Sequence, residues 1–594
     1  MIEARPHPAA TPEPPAPSER ARLEELRRFH HGDPRARPSP PPTGVLPAAL
    51  AGWRGREAPG AWPLAVDADA AAGEPFARPV GKASEPDARR IAFGRGAVVE
   101  LATLAARRRL AAAHAAFAAS AHELVAAADA LLAADLERRP RETPPEQRLE
   151  RLGSLGARFF DPERVAAVAE RRSSGEPFDP ERRRRLQSAR ARLAGVDVIG
   201  GEPLWIVPPS LAVGDLDAPS RTAADPCAVA LTAFDELAGA LTPLIAAARL
   251  VRLEAADAFV AERHLPALER LDASGFEAEE LALVPPVLAL VRVGDLLAGG
   301  RLPSLTRLLL SGRPAHVVVL ADESDDAVPG VRFELAYLGV GHREAFVQQA
   351  SLARPEALIA AFERALAGGR PALHVVETPS EAPADLDPQL VAAARLAGRA
   401  APVFRYEPEA GASWARRLTI ADNPEPADDW PREPLPGAGD VGAPFTYADA
   451  ALLDPARGGA FALADLDSED LVPLADWLAL GPREALGRLP FVVGATLDGA
   501  RVRLVVSRAL AFATRDRLAF WRTLGELAGV RNEHVEEAVA SARREAEAHA
   551  ARERAELAEE HRAELERVRA EAASAVVGRL VAGLLEVDGS RSSG

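Results

Sequence analysis

Few residues in this chain are placed to do chemistry, and most of the familiar constellations are missing. There is one cysteine, Cys227. A disulfide, a Cys-x-x-Cys redox pair and a cysteine-ligated iron–sulfur cluster are therefore excluded within a single chain. Cys227 itself reads as a small buried apolar residue at a helix start. Lys82 follows Gly81 but precedes Ala83 and has no upstream glycine, so it is not part of a phosphate loop. There is no Gly-x-Ser-x-Gly elbow and no His-Glu-x-x-His zinc helix. Gly339-Val340-Gly341 is too short for a dinucleotide fingerprint. His30-His31 in a proline-rich stretch and His549 and His561 on a charged helix do not read as metal ligands. What remains is a set of carboxylates. Asp295 follows an apolar strand, and Glu323, Asp325 and Asp326 lie close together after the next one. No catalytic residue is assigned.

The elements that must position these groups follow from composition and pattern. At 594 residues the chain is too long for one core, and two to four units of ordinary size are expected. The formal charge of −16 argues against sequence-independent nucleic-acid binding and against docking on an anionic membrane. The first residues, MIEARPHPAA, lead into no apolar core, and no apolar run reaches about 18 residues. The expectation is a cytoplasmic protein with no membrane insertion. Arginine is abundant and Lys82 is the one lysine, a coding bias that weakens any reading of local arginine clusters.

Residues 1–90 are rich in proline and alanine and are expected to be extended or disordered, with a short helix near Ser18–Phe29. Residues 91–195 are helical. Ala97–Leu136 predicts one long helix or a helical hairpin, and Asp-Pro-Glu-Arg segments at Asp161 and Asp179 predict helix starts. Residues 196–430 alternate apolar strands with helices, which predicts parallel pairing. A Pro/Gly-rich linker is expected over 431–460 and a small α/β unit over 461–530, with a hairpin turning at Asp498-Gly499. Residues 531–588 predict one long charged helix, either a coiled coil or a solvated single helix, before a tail at 589–594.

Within 196–430 the order of short segments is more specific than any one of them. Gly294-Asp295-Leu296 follows a strand, and Ser311-Gly312-Arg313 ends the next helix. Ala345 to Ala353, including Gln348-Gln349, precedes another helix, and Gly369 to Val376 forms the next strand. Pro402 to Pro408 and Asn423-Pro424 close the series. This order resembles the thiamine-diphosphate domain of pyruvate:ferredoxin and related 2-oxoacid:ferredoxin oxidoreductases. The resemblance implies an α/β fold with a thiamine-diphosphate-binding-like parallel sheet, flanked here by an N-terminal helical region and a long C-terminal helix. It implies thiamine diphosphate and magnesium as cofactors, held through Gly294 and Asp295, with Asp295 as a metal ligand. Partners would be other protein subunits, namely the iron–sulfur components of an oxidoreductase.

The departures carry as much information as the matches. Leu296 stands where the family has a glycine that lets the backbone approach the diphosphate. The family's second metal ligand, an asparagine, falls on Ala327, which offers no oxygen. Asp326 could serve from one place away, but Glu323, Asp325 and Asp326 together would repel a diphosphate. The family's cluster-binding cysteines are absent. The expectation is therefore a degenerate 2-oxoacid:ferredoxin oxidoreductase-like subunit, non-catalytic alone and acting within a redox assembly. The alternatives are an active thiamine-diphosphate-dependent subunit and a non-enzymatic scaffold that works through its C-terminal helix.

Overall fold

The computed structural model describes residues 18–56, 62–67, 76–79, 89–139, 176–196, 201–211, 216–321, 332–378, 383, 385–433, 435 and 443–591. The chain divides into two units, Met1–Ala528 and Gly529–Gly594.

The first unit is mixed α/β. It opens with α1 (Glu19–His30) and β1 (Leu46–Pro47). An antiparallel sheet of β2 (Leu64–Val66), β3 (Ala77–Pro79) and β4 (Arg90–Ile91) follows, ordered β3-β2-β4. The alanine-rich stretch forms one helix, α2 (Arg95–Arg138), and not a hairpin. α3 (Pro180–Leu193) starts where Asp179 caps it, its carboxylate accepting from the Glu181 and Arg182 N–H groups at 2.8 Å each. The matching segment at Asp161 lies outside the described residues.

The main sheet then builds through β5 (Leu204–Val207), β6 (Ser220–Thr222), α4 (Pro226–Ala255), β7 (Val287–Arg292), α5 (Val293–Ala298) and α6 (Leu302–Leu309). It continues with β8 (Ala315–Ala321), α7 (Leu335–Val340), β9 (Phe346–Ser351), α8 (Pro355–Ala367), β10 (Ala372–Glu377), α9 (Pro388–Ala397), β11 (Phe404–Tyr406) and β12 (Leu418–Thr419). The strand order is β12-β11-β9-β10-β8-β7-β5-β6. Strands β5 to β10 run parallel, and β11 pairs antiparallel with both β9 and β12. The inner strands β5, β7, β8 and β10 are mostly apolar because helices cover both faces, whereas the edge strand β6 is polar and exposed. Along β7 the side chains alternate. Val287, Ala289 and Val291 pack with α4 and α6, and Leu288 and Leu290 pack with α2 and α8.

From β5 the chain moves outward to β6 and then returns across β5 to β7. The connections leave β5 and β7 in opposite directions. In open α/β sheets, ligands bind in the crevice at the carboxyl ends of two such strands.

A second sheet is formed by β13 (Phe461–Ala464), β14 (Leu471–Pro473), β15 (Leu489–Ala495) and β16 (Arg501–Val506), in the order β1-β15-β16-β13 with β14 parallel to β15. The β15–β16 hairpin turns at Asp498-Gly499, with Gly499 at φ +84°. Two stretches differ from expectation here. The described part of the N-terminal segment is built in: Leu46 pairs with Ala495, and Leu26 of α1 packs with Ala462 and Leu489. The expected linker also packs, with Phe445, Tyr447 and Leu453 buried and a Thr446–Asp449 capping box starting the helix Tyr447–Ala451. Apolar side chains between the prolines and glycines drive both outcomes. α10 (Arg508–Leu527) joins the two sheets, with Leu510 in the core of the small sheet and Trp521 and Leu524 in that of the main sheet.

α2 and α4 are each long and apolar enough to cross a membrane by length and composition. Both supply core residues, Leu101 and Ala106 from α2, Phe234 and Ile245 from α4.

The second unit is one helix, α11 (Glu533–Arg591). Its apolar residues, among them Val535, Leu557, Leu565, Val568 and Val576, are exposed.

Candidate functional site

Asp295 sits in the first turn of α5, directly after β7, at the crevice that the topology marks. Its carboxylate accepts a hydrogen bond from Ser210 Oγ at 3.1 Å. Ser210 follows β5, so this bond spans the two strand ends. Gly294 lies in the same turn. Leu296 takes helical backbone geometry, and its side chain is 1% exposed in the core cluster with Val293, Leu305 and Leu308. Neither Gly294 nor Leu296 has a positive φ. Asp326, Ala327 and the rest of the acidic turn lie outside the described residues. The described chain stops at Ala321, the last residue of β8, the parallel neighbour of β7.

Thiamine diphosphate with magnesium, which the resemblance implies, needs several oxygen ligands in near-octahedral geometry and close backbone approach to the phosphates. The described residues do not fit that group. Asp295 is one carboxylate, already engaged by a serine. Among the described residues no three His, Cys, Asp or Glu side chains gather where they could hold a metal ion. The position that should be bare carries a leucine rooted in the core.

The other segments of the series are brought together as scaffold. Asn423 clamps the strand start at Val403: its Oδ1 accepts from Val403 N–H at 2.8 Å, and its Nδ2 donates to the Val403 and Ile420 carbonyls at 2.6 and 2.7 Å. Gln349 Nε2 donates to the Pro402 carbonyl at 2.8 Å. Arg399, fully buried at φ +57°, donates to the Pro424 and Glu425 carbonyls and lies 3.7 Å from the Trp521 ring centroid.

Sequence reasoning missed two features of the main sheet. The first is a buried polar chain across β8, β10 and β9. Gln348 Nε2 donates to His374 Nδ1 at 2.7 Å, which leaves His374 Nε2–H to donate to His316 Nδ1 at 3.1 Å. Burial lowers the basicity of both imidazoles, taking His316 down to about 3. The second is a cavity of about 340 Å³ on the α2 side of the carboxyl edge, lined in part by Arg89, Arg107, Asp217 and Arg292. A signal for it exists in the sequence, since Arg292 ends an otherwise apolar strand. Cys227 is buried, and its thiol is pushed up to about 12, so it is a poor nucleophile.

No protein-family model and no curated protein matches this chain.

Proposed function

We propose that this chain is a degenerate 2-oxoacid:ferredoxin oxidoreductase-like subunit, non-catalytic alone, that acts within a redox assembly alongside iron–sulfur subunits. One observation carries the reading. At the end of β7 the metal-binding aspartate of the family's motif is kept, while the next position holds a leucine buried in the core. Core packing and site chemistry rest on different residues, so a scaffold can outlast its chemistry. The parallel sheet supports the reading, as does the pairing of β7 with β8. Thermal melting with about 1 mM thiamine diphosphate and magnesium tests it, because a ligand that binds only the folded state raises the midpoint. No shift is expected. A rise that disappears in Asp295→Ala would move the active-enzyme reading to the front.

The exposed apolar residues of α11 favour a second reading, a scaffold that works through this helix. Deleting residues 529–594 tests it. Unchanged assembly size in sedimentation would remove its basis.

A further inference from the structure

We infer that the cavity between α2 and the carboxyl ends of β7 and β8 binds a small organic anion, a carboxylate or phosphate ester, with Arg292 as its charge partner. The inference does not rest on the family reading and holds whether or not thiamine diphosphate binds.

The register of β7 explains how an arginine comes to be there. Leu288 and Leu290 point to the α2 face, and period-two alternation sends Arg292 to the same face one step beyond the packed layer. The cavity begins there. At about 340 Å³ it is within the range of small-ligand sites and has room for about ten waters.

The charges lining the cavity are unevenly satisfied. Arg89 pairs with Glu100 at 2.7 Å. Arg107 pairs with Glu202 at 2.5 Å and with Asp217 at 3.1 Å. Arg292 is half-buried and, among the described residues, makes no side-chain hydrogen bond or ion pair. Its planar fork of donors matches a carboxylate or phosphate in two-point fashion. In the first turn of α2, Gly96 also lines the cavity, and that turn carries no acidic residue, so the helix end adds the same sign of field.

Two features limit the ligand class. Leu211, Leu216 and Leu320 form an apolar wall, which suits a short hydrocarbon body behind the anionic head. The net charge of −16 repels a polyanion, so the guest is a small molecule and not a nucleic acid.

The test is titration of the full chain with inorganic phosphate and, separately, with butyrate, followed by calorimetry or ligand-observed NMR. The variants are Arg292→Gln and, as a control on the opposite face of the sheet, the exposed Arg307→Gln. Binding of at least one probe is expected. Its affinity should fall about ten- to a hundredfold in Arg292→Gln and stay unchanged in Arg307→Gln. Binding of phosphate alone assigns a phosphate ester, and binding of butyrate alone assigns a carboxylate. If Arg292→Gln does not fold, Arg292→Lys replaces it. That variant keeps the charge but loses the two-point geometry, and about a tenfold loss is expected. No binding of either probe at about 10 mM, or equal affinity in the Arg292 variant, overturns the inference.

Discussion

The corner where β11 begins and the end of β7 both carry segments of the series that resembles the oxidoreductases, yet the two are built differently. At the corner, two polar side chains are spent on buried backbone. Asn423 is spent on the backbone of Val403 and Ile420, and Arg399 on carbonyls and the face of Trp521. At the end of β7, Asp295 meets a single serine hydroxyl, and Leu296 has joined the core. The contrast separates a residue with a structural role from one without. Loss of Asn423 would orphan buried backbone groups, whereas the Asp295 side chain makes one exposed hydrogen bond, from Ser210.

The comparison breaks most directly at the corner. Asn423→Ala removes three buried hydrogen bonds and leaves the Val403 N–H and carbonyl without partners, while the Ile420 carbonyl keeps the residue 423 N–H, so a loss of about 3 kcal/mol is expected in chemical denaturation. A loss below about 1 kcal/mol would mean that the clamp is incidental. At the other region, Leu296→Ala should cost about 3 kcal/mol by opening a cavity among Val293, Leu305 and Leu308, and should confer no thiamine diphosphate binding. A stable variant that gains binding would show the leucine to be only a plug over an intact site.

The buried histidines sharpen the account through pH. Both imidazoles are neutral in the fold, with basicity lowered by burial, and Arg109 adds repulsion at His316. The unfolded chain binds protons near pH 6.5 and the native state does not, so stability is fully present above that value and falls with pH toward about 3. His316 contributes a slope of about 1.4 kcal/mol per pH unit within that window, and His374 acts in the same direction. In the His316→Gln, His374→Gln double variant the slope between pH 6.5 and 4 should flatten. An unchanged slope would show that other groups carry the acid sensitivity. The smallest effect belongs to Asp295→Ala, which should change stability by under about 0.5 kcal/mol.

Much of the fold was legible because local pattern and tertiary role agree. The runs at β7, β8 and β10 are apolar except for Arg292, His316, His374 and Glu377, as two-sided burial favours, and Asp498-Gly499 marks its hairpin by backbone conformation alone. The N-terminal contribution was not legible. Leu46 pairs with Ala495, and a two-residue strand leaves no periodic trace of so distant a partner. Phe445 and Tyr447 were hidden by the prolines and glycines around them. At the candidate site, Asp295 stands out by its position after a strand. Arg292 does not, because one arginine in an arginine-rich chain gains meaning only when the strand register turns it toward α2.

The central claim is that the scaffold has outlasted its cofactor site. Calorimetric titration of the purified, folded chain with thiamine diphosphate and magnesium tests it most directly. The account predicts no measurable heat of binding in wild type or in Asp295→Ala. Micromolar affinity, about −8 kcal/mol, that vanishes in Asp295→Ala would contradict it and establish a working site at the end of β7.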